Sequence, residues 1–459
     1  MNGTQTKTIA SDFPQFSFKK ALFQLGLILL GFAFLFFITL MKARGTTGFG
    51  FEPLLYVYTI FVTTFQLSRL IAAMFYENAY KGSVLAKTSR NYAGQLSLRE
   101  NALVAGKDFE PFVTFVVPCK NEEKVIAETV ASCFQVDYPK EKMEVIVIND
   151  GSTDRTSDIL KSVETKYRKL SIVDWEENRG KKHAMAEGFR RAKGEIVVQL
   201  DSDSFIDPAT FRKIVEPFRN PDVGAVSAHT DPKNADKNFI TKMQAAYYFM
   251  SFRILKAAES TFLTVFCCSG CASAYRKKIL LPILDEWLGE KFLGLPVTWG
   301  DDRALTSRVL KFGYSTIYSN RVKAETIVPE NLRQLLKQQI RWKKSWFVNA
   351  IYNAKFIWKT QPFVAFSYFF PLVGVTFLSP IMAARAVFYL PIARGVFPLY
   401  HVAGLLLLAA LFVAYYRFVA PENKYWLYLF PWTLFNLFVL SFLMFWALAR
   451  INDRGWGTR

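Results

Sequence analysis

Histidine and cysteine are scarce in this 459-residue chain, at three and five residues. The cysteines stand at 119, 133, 267, 268 and 271. An odd number without extracellular-module spacing argues against a disulfide framework, and free thiols fit a reducing compartment. Cys267, Cys268 and Cys271 cluster, but a zinc site asks for a second pair or nearby histidines, and neither is there. A buried strand end accounts for them as well. Acidic residues are also in deficit, 38 Asp and Glu against 57 Lys and Arg, a formal net charge of +19. No recognised reader motif accompanies that charge, which argues against a nucleic-acid partner. An anionic membrane leaflet or a nucleotide diphosphate is the better match. The first apolar run lacks a small-residue cleavage site and is too long for a signal-peptide core.

What the chain has in quantity is apolar sequence, 51% of residues, with 16% aromatic. It is partitioned. Residues 21–75 and 361–449 are largely apolar, while 80–360 reads like a soluble α/β domain. Ala21–Met41 and 53–75 each have the length of a membrane span. Two spans return the chain to its starting side, so a basic cytoplasmic N-terminus implies a cytoplasmic central domain. The segments 398–418 and 426–449 read as spans too. The stretch 361–391 is longer than one span needs and carries Pro371, Pro380 and Arg385. Split in two, it brings the total to six spans; lying partly in the interface, it leaves four.

In the central domain, Phe112–Pro118, Glu144–Ile148, Ser171–Trp175 and Glu195–Leu200 read as buried strands, separated by helical stretches. That order predicts parallel βαβ units. Ligands of such sheets bind at the carboxyl ends of the strands. Three acidic features stand there. Asp150 follows a strand and precedes Gly-Ser-Thr-Asp, which also suits a helix cap. Asp201-Ser202-Asp203 follows Gln199-Leu200, and two carboxylates so spaced can share a divalent cation with a diphosphate. Gly300-Asp301-Asp302-Arg303 opens a helical run, where acids are favoured electrostatically in any case.

A positive partner lies at Gln338-Gln339-Ile340-Arg341-Trp342. On a helix, Gln338, Arg341 and Trp342 share one face. Arginine suits bidentate phosphate contacts, and an indole offers a flat surface to a sugar ring. Lys337, Lys343, Lys344, Trp346 and Phe347 surround the motif, as in an amphipathic interfacial helix. The two readings are compatible.

Taken in order, Val116-Val117-Pro118 with Asn121-Glu122, Asp150-Gly151-Ser152, Asp201-Ser202-Asp203, Gly300-Asp301-Asp302 and Gln338-Gln339-Ile340-Arg341-Trp342 resemble the processive family-2 glycosyltransferases, which make cellulose, chitin and hyaluronan. The likeness to hyaluronan synthases extends to Asn178–Ala184, Cys268-Ser269-Gly270, Phe292–Val297 and the terminal Trp456-Gly457-Thr458-Arg459. The resemblance implies an α/β GT-A (Rossmann-like) catalytic domain inserted between N-terminal and C-terminal transmembrane helices. The expected organisation is a two-span region at 1–80, the catalytic domain at 81–330, interface helices at 331–360, C-terminal spans at 361–449 and a gating tail at 450–459. The protein would be a multi-pass cell-membrane enzyme with its catalytic domain and both termini cytoplasmic.

The resemblance also implies roles. Asp302 would be the catalytic base that deprotonates the acceptor hydroxyl. Asp150, Lys182, Asp201, Gln338 and Arg341 would bind the nucleotide sugar, with Trp456, Thr458 and Arg459 closing over it. Asp203 would hold Mg2+ or Mn2+. Cys268, Ser269, Asp301 and Trp342 would contact the acceptor. The partners would be a UDP-sugar donor, the growing polysaccharide and membrane lipids, with no nucleic acid. One departure bears on the polymer. Hyaluronan synthases usually continue the Ser-Gly of the acceptor loop with Pro and Leu, whereas Cys271-Ala272 follow Gly270 here. Chitin-oligosaccharide synthases tend to carry Gly-Pro-Cys there, and share the paired cysteines at 267 and 268. Alternating UDP-GlcNAc with UDP-GlcA, or using UDP-GlcNAc alone, are the two polymer readings. A lipid-linked sugar transferase usually lacks the Gln-x-x-Arg-Trp helix, and a transporter or scaffold would not need these acids intact.

Overall fold

The apolar runs of the central domain become strands of one mixed sheet. The computed structural model describes residues 18–43, 52–79, 89–90, 96–97 and 109–453. Val113–Cys119 (β1), Met143–Asp150 (β2), Leu170–Trp175 (β3) and Ile196–Gln199 (β4) are parallel, in the order β3-β2-β1-β4. All of β1, β2 and β4 is buried. A parallel strand covered on both faces has no solvent side, hence the unbroken apolar runs. Ile126–Gln135, Thr156–Glu164 and Lys181–Arg191 are the helices between these strands. Phe115, Phe189 and Phe211 are fully buried, each contributing about 2–3 kcal/mol of apolar burial.

The second half departs from the parallel expectation. Ser204–Ile206 (β5), Val223–Pro232 (β6), Ser273–Arg276 (β7) and Ser315–Thr326 (β8) extend the sheet to eight strands, ordered β3-β2-β1-β4-β7-β6-β8-β5. β7 runs antiparallel to β4 and β6, and β5 antiparallel to β8. These strands carry buried serines, threonines and His229 among their apolar residues, so no simple apolar run marks them.

The helix Phe18–Ala43 (α1) forms a unit of its own, and its apolar described stretch runs Ala21–Ala33. Among the described residues, Pro53–Met74, Pro362–Arg394 and His401–Val419 are long and apolar enough to cross a membrane. Pro53–Met74 (α2) begins at Glu52, which accepts from the Leu55 amide at 2.7 Å and pairs with Arg385 at 2.6 Å. Pro362–Arg394 is one continuous 33-residue helix. The prolines predict a break there, and two spans; the backbone keeps one. π-turns at Ala365–Phe369 and Arg385–Tyr389 come just before Pro371 and Pro391, and such turns take up the bonding a proline interrupts.

The last apolar element, Trp426–Leu440 with Leu443–Ala449, is bent by 42°. Both its ends rest on the central part of the chain, between residues 239 and 348. At its start Tyr428 meets Phe239 edge to face and Trp432 stacks on Tyr247 at 4.5 Å. Just past its end, Ile451 joins Val297, Trp299 and Val348, and Lys344 Nζ donates to the Asp453 carbonyl at 3.1 Å.

Candidate active site

The chain leaves β4 through Leu200 and turns at Asp201–Asp203 into β5, which puts both acids at a strand end. They line a cavity of about 790 Å³. Across it stands the helix Asp301–Lys311 (α3), and a third wall is the helix Leu332–Ala354 (α4), with Gln338, Arg341 and Trp342. The sheet, the Gly-Asp-Asp turn and the Gln-x-x-Arg-Trp helix thus meet in one space.

Asp302 lies in the first turn of α3, where backbone N–H groups favour a carboxylate. Its Oδ1 accepts from the Arg303 amide at 2.8 Å, and its Oδ2 faces the Gly270 amide at 3.4 Å and the Cys267 thiol at 3.5 Å. The neighbouring Asp301 is nearly enclosed, and its Oδ1 accepts no hydrogen bond. Burial raises the Asp301 pKa and the Asp302 charge adds to the rise, against the pull of Lys182 and Lys181. Adjacent acids in unlike surroundings suit unlike tasks.

Two glycines permit this closeness. Gly300 sits at φ +77°, and a Cβ there would lie 2.2 Å from Ser345 Oγ on α4. A Cβ on Gly270 would lie 2.8 Å from both Asp201 carboxylate oxygens. The Asp201 amide in turn donates to the Gly270 carbonyl at 3.0 Å. The Cys268–Gly270 loop, the acidic turn and α4 are therefore packed backbone to side chain, with no room for a methyl group.

Lys181 Nζ pairs with Asp201 Oδ1 at 2.5 Å. Burial works against its charge, but Asp201 and Asp301 outweigh it and hold its pKa above the ordinary lysine value. Lys343, also in the wall, has no such compensation, and burial lowers its pKa to about 8. Trp342 lies 6.5 Å from Tyr247 between ring centroids, and Tyr247 stacks on Trp432, so three aromatic rings stand together at this wall. Gln338 lines the cavity with its Oε1 unbonded. Thr376 and Met444, from the apolar helices, complete the lining. Burial pushes Cys267, Cys268 and Cys271 up to about 12, so they stand as thiols. Among the described residues no group of three or more His, Cys, Asp or Glu side chains gathers for a metal. Asp201 and Asp203 supply two acids, and an ion there would need the diphosphate oxygens as well.

Asp201, Asp203, Ser269, Asp301, Asp302, Gln338, Arg341 and Trp342 all reach the cavity wall, as the sequence leads one to expect. Asp150, Lys182 and Cys268 do not. The Asp150 carboxylate accepts the Arg179 amide at 2.6 Å and the Gly180 amide at 2.9 Å, holding the turn before Lys181–Arg191. Lys182 forms a buried pair with Glu290 at 2.6 Å. Successive helix positions point about 100° apart, so Lys181 faces the cavity and Lys182 turns inward. Cys268 is buried with its amide on Thr306, and the wall belongs to its neighbour Cys267. Trp456, Thr458 and Arg459 lie outside the described residues. Cavity-lining residues to which the sequence assigned no site role are Lys181, Tyr247, Cys267 and Lys343. Lys181 lies inside the quoted stretch Asn178–Ala184, Cys267 and Lys343 stand beside quoted motifs, and nothing pointed to Tyr247.

The family model for glycosyl transferase family 2 matches residues 114–283. A hyaluronan synthase of Streptococcus pyogenes is 30% identical over 364 residues, 77% of this chain and 84% of the relative. An N-acetylglucosaminyltransferase of Azorhizobium caulinodans is 30% identical over 354 residues, 76% of this chain and 87% of the relative. Among solved structures, the mannosyltransferase PcManGT from Pyrobaculum calidifontis, in complex with GDP-Man and Mn2+, aligns with TM-score 0.56 at 21% identity, covering 87% of this chain and 99% of that one. That likeness concerns the fold, a GT-A-like mixed sheet.

Proposed function

The chain belongs to glycosyl transferase family 2, as a polysaccharide synthase using a nucleotide-sugar donor and a polysaccharide acceptor, and from that premise we propose that it polymerises UDP-GlcNAc and UDP-GlcA alternately with Asp302 as the base. The observation that carries the catalytic reading is the single cavity where Asp302 faces Asp201, Asp203 and Arg341. An inverting transfer needs one base behind the anomeric carbon and a stabilised leaving group opposite. Asp302 takes the proton of the acceptor hydroxyl, whose oxygen attacks the anomeric carbon as the bond to the diphosphate breaks. Arg341 and Lys181 meet the negative charge that develops on UDP. Asp203, with Asp201, would hold Mg2+ or Mn2+ at the diphosphate, where the ion supplies further charge neutralisation; the Mn2+ of PcManGT supports this. Trp342 and Tyr247 stack the acceptor sugar, and Ser269 and Asp301 offer it hydrogen bonds. Asp150 would shape the nucleotide side by fixing the Arg179–Gly180 turn.

The membrane arrangement follows the same logic. Pro362–Arg394 and His401–Val419 would cross, while the bent pair from Trp426 to Ala449 stays on the catalytic side as a roof. The contacts at both its ends support that reading. Two crossings after the domain are an even number, which puts the C-terminus on the side of the nucleotide. Thr376, on the helix Pro362–Arg394, lines the cavity, and that supports export of the product along the crossing helices.

A second reading is a single-sugar synthase using UDP-GlcNAc alone. The Cys271-Ala272 pair after Gly270 departs from the hyaluronan-synthase pattern, and the identity to an N-acetylglucosaminyltransferase equals that to a hyaluronan synthase, so this reading stands beside the first. Incubating purified protein with each UDP-sugar alone and with both separates the two. Polymer only with both sugars is expected; chitinase-sensitive polymer from UDP-GlcNAc alone would make the second reading correct.

A further inference from the structure

A polar network runs from two apolar helices to the catalytic loop, and the mechanism above does not use it. Arg69 of α2 is buried, with its guanidinium 4.3 Å above the ring of Tyr368 in the helix Pro362–Arg394. Charged and polar groups inside apolar helices are expensive and call for a reason. The Tyr368 hydroxyl donates to Glu259 Oε1. The other oxygen of that carboxylate accepts from the Phe266 amide at 3.1 Å. The Phe266 ring also stacks on Tyr368, 5.6 Å between centroids and 6° between planes. Burial raises the Glu259 pKa against both of those hydrogen bonds.

Phe266 immediately precedes the residues that touch the base. The Cys267 thiol and the Gly270 amide face Asp302 Oδ2, and the Cys268 amide is held by Thr306 Oγ1 at 2.9 Å, one turn along the same helix. At its other end the loop starts with Leu263 in the left-handed region, φ +55°. A leucine holds that conformation only where its surroundings impose it. The loop is thus clamped between Glu259 and Tyr368 on one side and Asp302 on the other.

We propose that Glu259 and Tyr368 are positioning residues that tie the Phe266–Gly270 loop, and through it Asp302, to the helix Pro362–Arg394, so that glycosyl transfer depends on where that helix sits. The proposal rests on Asp302 being the base. It makes the apolar helix a mechanical partner of the chemistry as well as an anchor. The donor side meets this link at its far end, where the Asp201 amide donates to the Gly270 carbonyl at 3.0 Å.

The test uses the full-length, detergent-solubilised protein and two variants, Tyr368→Phe and Glu259→Ala. Tyr368→Phe keeps the ring stack and removes only the hydroxyl. The expected result is a kcat lower by about tenfold, equivalent to about 1.4 kcal/mol, with the donor KM within about twofold. UDP release without chain extension should rise relative to transfer, because a loosened base and acceptor loop lets water compete. The double variant should be no worse than Glu259→Ala, since both remove one link. An unchanged kcat per folded enzyme, an unchanged ratio of hydrolysis to transfer, or multiplying effects in the double variant would each overturn the proposal. A merely structural pair would lower the folded yield and leave that ratio alone. Asp302→Asn, run alongside, separates the premise: retained transfer in that variant sinks the base assignment, whatever Tyr368 does.

Discussion

Replacing Gly300 by alanine tests the closeness on which the site depends. Gly300 stands at φ +77°, immediately before α3, and a methyl group there would meet Ser345 Oγ at 2.2 Å and Ser345 Cβ at 2.5 Å. Two costs add. The left-handed conformation costs alanine about 1–2 kcal/mol. Forcing α4 away costs about 1–3 kcal/mol, as overpacking generally does. Gly300→Ala should therefore lose about 2–5 kcal/mol of stability, read by unfolding of the solubilised protein. Function should suffer more, because α3 carries Asp302 and α4 carries Arg341 and Trp342. A displacement near 1 Å between them costs on the order of 100-fold in turnover, read as UDP release in the presence of acceptor. A double-mutant cycle with Ser345→Gly isolates the steric part. That change removes the blocking atoms and leaves Ser345 Cα at 3.3 Å, and Ser345 Oγ has no hydrogen-bond partner to lose. The coupling energy should be about 1–3 kcal/mol, with the dihedral cost left over. Wild-type stability and turnover in Gly300→Ala, or zero coupling, would refute the reasoning.

Asp302→Asn should lower turnover by about 100- to 10,000-fold, the usual worth of a general base, while UDP affinity by calorimetry stays within about twofold. Lys343 sets a pH dependence. With its pKa lowered to about 8 by burial and its position in the cavity wall two residues after Arg341, it is charged below that pH and neutral above it, so any attraction it exerts on a donor diphosphate in the cavity fades as pH rises. Donor KM should climb through about pH 8 in the wild type, and the climb should vanish in Lys343→Arg, which stays charged; an identical profile in both would remove Lys343 from the donor site.

Much of the site was legible because the motifs carry their own geometry. A strand end followed by Asp-x-Asp points its acids at the ligand face of a parallel sheet, and Gln338, Arg341 and Trp342 share a helix face at any orientation of that helix. Asp201, Asp203, Asp302, Arg341 and Trp342 met accordingly. Lys181 against Lys182, and Cys267 against Cys268, were not decidable, since adjacent residues differ only in which way the local backbone turns them. The antiparallel half of the sheet was hidden for a related reason. Strands β6, β7 and β8 bury polar side chains that find partners only in the folded domain, such as Thr316, whose hydroxyl donates to the Val265 carbonyl.

By itself, the sequence determined the reaction class, the acids at the strand ends, the motif helix and the apolar regions flanking the domain. These depend on residue type, short spacing and local periodicity, which a linear chain displays directly. Tertiary structure alone decided that Pro362–Arg394 stays one helix, that the last apolar pair has both ends on the catalytic domain, and that Glu259 and Tyr368 meet across 109 residues of chain. Such contacts join segments far apart in sequence. Packing and hydrogen bonding select them, and no local pattern encodes them.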